Sequence, residues 1–108
     1  MAISKYSVVE SGNISLGQAG SILVTGTTAC TNAIGKFVAI QFLEDTIFTA
    51  LTAETTQSFP DTTGAGTTID SDAGATISGI TFPQGMTIYG RWTGFTLSST
   101  GKVIAYVG

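Results

Sequence analysis

The sequence predicts an all-β fold: a single-domain β-sandwich or jelly-roll-like structure of short strands, ending in a C-terminal β-meander. Three observations carry this. Thr and Ser are abundant, with 14 Gly and only 2 Pro, and β-branched Thr suits pleated, half-exposed surfaces. Helix formers such as Lys, Glu and Leu are scarce, which favours many short strands. The stretch Phe82 to Gly108 reads as strand, bend, strand, turn, strand, and within it Met86 to Trp92 alternates with a period of two, the mark of extended chain with one buried face.

In chain order, Met1 to Glu10 reads as an N-terminal arm or as a frayed terminus. Asn13 to Gly17 reads as a short strand, and Ser21 to Thr25 as another. Gly26 to Gly35 is a Thr-rich loop holding Cys30. Lys36 to Leu51 reads as two strands joined at Glu44-Asp45. That register places Phe42 opposite Ile47, Ile40 opposite Thr49 and Val38 opposite Leu51. Val38, Ile40, Phe42, Ile47 and Leu51 then share one buried face. Phe37, Leu43 and Phe48 lie on the other, too apolar to be simply wet. A helix is the competing reading, because Leu43, Ile47 and Leu51 recur at helical spacing.

Thr52 to Gly79 is polar and Gly-punctuated, with short strands expected at Thr67 to Asp70 and Thr76 to Ile80. Phe59 is expected to plug the core or an interface. In Met86 to Trp92, Met86, Ile88 and Trp92 share one side, while Thr87, Tyr89 and Arg91 share the other. After Gly94 the phase changes, which marks a bulge or bend. Ser98 to Gly101 is a turn into a closing strand, Lys102 to Val107. No linker, strict repeat or heptad divides the chain, so residues 1–108 form one domain.

The totals bound the function. Hydrophobic residues make up 43% of the chain and charged residues only 10%, against about 25% charged in ordinary domains. A chain of this size buries roughly two-thirds of its surface, so the apolar surplus points to subunit contact. No run reaches the roughly 18 apolar residues of a membrane span, so no membrane partner is expected. The N-terminus lacks the apolar core of a signal peptide. The four basic residues Lys5, Lys36, Arg91 and Lys102 are scattered, so nucleic acid is not an expected partner. With no His in the chain, imidazole metal ligation and Ser–His or Cys–His catalysis by this chain are excluded. Lone Cys30 can make no intrachain disulfide and reads as a structural thiol, since no basic residue in the neighbouring sequence lowers its pKa.

The candidate chemistry is thin. Asp61, Asp70 and Asp72 could supply oxygen ligands to a hard cation, but they match only a fragment of an EF-hand loop. Glu44-Asp45 reads as a charged loop tip. Gly64 to Thr68 lacks the Lys of a phosphate-binding loop. Tyr89 and Arg91 are the candidate ligand contacts, an aromatic face beside a cation, whereas Trp92 belongs in the core. No catalytic residue, cofactor or metal is assigned, and the protein is not expected to be an enzyme.

Phe82-Pro83-Gln84-Gly85-Met86-Thr87-Ile88-Tyr89-Gly90-Arg91-Trp92 and Leu97-Ser98-Ser99-Thr100-Gly101-Lys102-Val103-Ile104-Ala105-Tyr106 carry a further signal. They resemble small tailed-bacteriophage virion structural proteins, of the head decoration (cement) type. Ala39-Ile40-Gln41-Phe42-Leu43-Glu44-Asp45-Thr46-Ile47-Phe48 looks like their upstream segment. The resemblance covers about a third of the chain. It implies a virion part, assembled in the host cytoplasm, that stabilises the head shell. Its partners would be the major capsid protein and itself, as a homo-oligomer and by expectation a trimer. Phe37, Leu43, Phe48, Phe59, Ile104 and Tyr106 are the expected interface residues. The other expectation is a fibre, spike or receptor-binding module that recognises host-surface glycans through Tyr89, Arg91 and the loop from Thr62 to Gly79.

Overall fold

A computed structural model describes residues 20–31, 36–66, 74–99 and 101–108. The arm expected at 1–10 and the strands expected at 13–17 and 67–70 lie outside these residues. The described part is all-β, with no helix. Its strands are β1 (Ser21–Val24), β2 (Cys30–Thr31), β3 (Phe37–Phe42), β4 (Thr46–Ala53), β5 (Thr81–Phe82), β6 (Thr87–Leu97) and β7 (Val103–Val107). They form one antiparallel sheet in the order β1-β7-β3-β6-β4-β5, with β2 also paired to β6.

β6 organises the sheet. Its first half pairs with β3, from Gln41 opposite Thr87 to Phe37 opposite Trp92. Its second half pairs with β4, from Ala53 opposite Trp92 to Phe48 opposite Leu97. β2 continues the line of β3 along β6, with Cys30 opposite Phe95. The phase change expected after Gly94 is a bulge. Thr52 pairs with Gly94 and Ala53 with Trp92, leaving Thr93 as the extra residue. Trp92 and Phe95 can therefore both reach the core, where they are 1% and 3% exposed.

A hairpin at Glu44-Asp45 is not what forms. β6 lies between β3 and β4, so Phe42 does not face Ile47. The end of β3 is held elsewhere: the Phe42 amide donates to the Met86 carbonyl at 2.9 Å and the Leu43 amide to the Lys102 carbonyl at 2.8 Å. The chain then crosses to the far side of β6. The C-terminal meander also gives way, because β7 pairs with β1 and β3 and not with β6. Alternation fixes which residues face inward, but it does not choose the neighbour. Residues 76–80 form a turn and no strand, with the Ile80 amide donating to the Ile77 carbonyl at 3.0 Å. Pro83 to Met86 forms a turn: the Met86 amide donates to the Pro83 carbonyl at 3.2 Å, and Gly85 takes φ 89°.

The core is a chain of phenylalanine rings. Phe82 stacks on Phe42 with centroids 4.9 Å apart. Phe42 meets Phe48 at 5.8 Å, Phe48 meets Phe95 at 5.9 Å, and Phe95 meets Phe37 at 5.4 Å. β3 and β4 lie on opposite edges of β6, so contact between Phe42 and Phe48 requires the sheet to curl over on this face. Each such pair contributes about 0.5–1.5 kcal/mol beyond its buried area. Phe37 joins the same face as Ile40 through a register shift between Phe37 and Ala39. The sequence reading put Phe37 and Phe48 on an outer face; the β3 bulge turns Phe37 inward, and β4 has its own register shift between Phe48 and Ala50. Both are 3% exposed and in the core.

Candidate functional site

An apolar groove lies beside the start of β6. Among the described residues, β4 pairs with β6 only from Trp92 onward, so the start of β6 has no strand on that side. Pro60 and residues 75–80 border it instead. The groove has a volume of about 480 Å³ and is lined chiefly by Ile77, Ile80, Phe82, Ile88, Tyr89 and Trp92, with Thr76 at its margin. Ile80 and Tyr89 are 50% and 61% exposed.

Asp61 does not line this groove but ties together segments that border it. It is 1% exposed, and its Oδ2 accepts the Ala53 amide at 3.0 Å. Its Oδ1 accepts the Thr63 amide at 2.7 Å, the Gly64 amide at 2.6 Å and the Thr63 hydroxyl at 3.1 Å. The Asp61 carbonyl takes the Ile77 amide at 2.9 Å, fastening the 74–80 segment to the end of β4. Thr62 exchanges hydrogen bonds with the backbone of Leu51, its hydroxyl accepting the amide and donating to the carbonyl. Asp61 is thus a structural tie. Both of its oxygens already accept hydrogens, which leaves it a poor cation ligand. Asp70 and Asp72 lie outside the described residues. Among the described residues, no group of three or more His, Cys, Asp or Glu could hold a metal.

The other sequence candidates separate. Tyr89 lines the groove, but Arg91 does not, and its Nε donates to the carboxylate of Glu54. Glu44 pairs with Lys102 at 3.3 Å, and Asp45 accepts the Gln84 amide at 2.9 Å, so these carboxylates hold loops together. Trp92 is in the core, with its Nε1 donating to the Pro60 carbonyl at 3.1 Å. Cys30 is half-buried, and desolvation pushes its thiol pKa up.

Of the expected interface residues, Phe37 and Phe48 are core residues whose side chains are not available to a neighbour. Phe59 is half-buried and packs against that core. Leu43, Ile104 and Tyr106 are partly exposed, and the Tyr106 hydroxyl donates to Gln41 Oε1 at 3.4 Å. Sequence reasoning missed Ile22 and Leu23, which are 44% and 59% exposed. The signal was available: an uncharged Ser-Ile-Leu-Val strand shows no polar alternation.

The groove offers apolar contact and the exposed Thr76 hydroxyl. It suits an apolar chain or the flat face of a ring. Compared with family models, curated proteins and solved structures, the chain matches none.

Proposed function

We propose that this protein is a structural component of tailed-bacteriophage virions, a head decoration (cement) protein that binds the assembled shell and stabilises it. It acts by binding, with no catalytic step, and its partners are the major capsid protein and further copies of itself. The observation that carries the reading is apolar surface left outside a well-filled core. Ile22, Leu23, Ile80, Met86 and Tyr89 are all at least 41% exposed, while the phenylalanine cluster is closed. Such surface finds its use in protein contact. Small contacts multiplied over a symmetric shell give a large total effect. The likeness of Phe82 to Tyr106 to phage virion proteins supplies the particle. The test is mass spectrometry of purified virions, with copy number, and binding of the pure chain to expanded capsids. Hundreds of copies and saturable binding fit the proposal. Absence from virions, or no binding, rejects it.

A second reading, a fibre or spike module recognising host glycans, is favoured by one observation. Tyr89, strongly exposed, lies at a groove bordered by Thr76. A glycan array read with Tyr89→Ala and Arg91→Ala variants tests it. Because Arg91 is tied to Glu54, this reading expects the Tyr89 change to weaken binding more. A blank array disposes of it.

A further inference from the structure

The outer edge of the sheet at β1 carries an inference that is independent of the virion reading. Hydrogen bonding fixes which way its backbone groups point. The Val107 amide donates to the Gly20 carbonyl at 2.9 Å, and β1 runs antiparallel to β7 with Ile22 opposite Ala105 and Val24 opposite Val103. In an antiparallel ladder, bonded and non-bonded pairs alternate. Gly20, Ile22 and Val24 therefore turn their amides and carbonyls toward β7. Ser21 and Leu23 turn theirs outward, and no described residue takes them.

Among the described residues, nothing gives this edge the usual protection. Protein edges are normally guarded by charge, Pro, a bulge or a cover. The sequence from Ser21 to Gly35 contains no charged residue and no Pro. The side chains there are apolar on both faces, with Ile22 and Leu23 44% and 59% exposed. The other end of the sheet, β5, has only two residues and offers no comparable edge.

We propose that β1 is a self-pairing edge: two copies of this chain join antiparallel, β1 to β1, about a two-fold axis at Leu23. Parity selects this register. A two-fold perpendicular to the sheet pairs residues that point to the same face. With Leu23 on the axis, Leu23 opposes Leu23 of the second copy, and Ile22 opposes its Val24. The outward groups of Ser21 meet those of Thr25. One contact therefore satisfies the orphan backbone groups and covers both exposed apolar side chains. With no charge on either strand, nothing repels across the axis. The unit formed is an isologous dimer, in place of the trimer expected from the sequence.

Sedimentation of the full chain should give twice its 11.0 kDa mass. Leu23→Lys puts two like charges at the axis and should yield a monomer with an unchanged β-type circular dichroism spectrum. Leu23→Cys, in a Cys30→Ser background, should crosslink to itself on mild oxidation. Directly opposed bonded residues stand about 5.5 Å apart at Cα, inside the roughly 4.4–6.8 Å that a disulfide spans. Ile22→Cys, whose opposite is Val24, should crosslink far less. A monomeric or trimeric parent, a dimer that survives Leu23→Lys, or equal crosslinking at 22 and 23 overturns the proposal.

Discussion

The indole nitrogen of Trp92 donates to the carbonyl oxygen of Pro60 at 3.1 Å, joining the middle of β6 to the loop that follows β4. This bond holds one side of the candidate groove against the other, because both residues line it. Replacing Trp92 by Phe keeps much of the ring and leaves the Pro60 carbonyl without its donor. The expected cost is about 1–3 kcal/mol. Trp92→Ala, which also opens a cavity, should cost about 3–5 kcal/mol. Urea unfolding at constant m-value measures both. A Phe variant as stable as the parent would show that the bond contributes nothing net.

Gly90 is the space in which that indole rests. A Cβ at Gly90 would stand 2.6 Å from Cη2 and 2.8 Å from Cζ2 of Trp92, closer than real contacts allow. Gly90→Ala should therefore push the ring off Pro60 and destabilise by about 1–3 kcal/mol. Trp92 is the chain's one tryptophan, so its fluorescence should shift to the red in the folded variant. In a Trp92→Ala background the same substitution should cost much less, a coupling that a double-mutant cycle reads directly. Additive penalties would argue against the steric account.

These relationships show which parts of the fold the sequence made legible. Lys102 to Val107 was readable as a closing strand, and in β7 Val103 and Ala105 are buried while Ile104, Tyr106 and Val107 are half-buried. Trp92 was readable as core because it shares a side with Ile88. The phase change at Gly94 was readable because Phe95 breaks the alternation. Neighbour choice was not readable. Nothing local in Phe42 or Ile47 says that β6 will lie between their strands, since that is decided by long-range pairing. The bulge between Phe37 and Ala39 was hidden too, because a run of four apolar residues has no phase to break. Of the candidate site, exposed Tyr89 was found, but the groove was not. It depends on Pro60 and Ile77 meeting β6 through Asp61, whose role as a tie leaves no spacing motif.

Asp61 should tolerate no change. In Asp61→Asn one oxygen must serve where two served before. If it stays with Thr63 and Gly64, the amide NH₂ faces the Ala53 N–H, donor against donor. A buried, unsatisfied amide costs about 1–3 kcal/mol, and loss of the anionic acceptor weakens the remaining bonds. Asp61→Ala, which orphans all of these donors, should be worse. Hydrogen exchange localises the effect: protection of the Ala53 amide should fall more than protection of the amides of β7. A uniform loss across the sheet would show general destabilisation and not the release of a specific tie.

Cys30 gives the pH-dependent prediction. It sits on β2 opposite Phe95, half-buried against the core, and burial raises its thiol pKa. The folded chain thus favours the neutral thiol more than the unfolded chain does. A group whose folded pKa is raised stabilises fully below its unfolded value, about 8.5 for a thiol. That contribution is lost as the pH climbs through the folded value. Two results should follow. Alkylation by iodoacetamide, which needs the thiolate, should rise at higher pH in the native chain than in the same chain unfolded in urea. Stability should also decline from mildly to strongly alkaline pH, and Cys30→Ala should reduce that decline. Native and unfolded alkylation profiles with the same midpoint would remove burial as the control on this thiol.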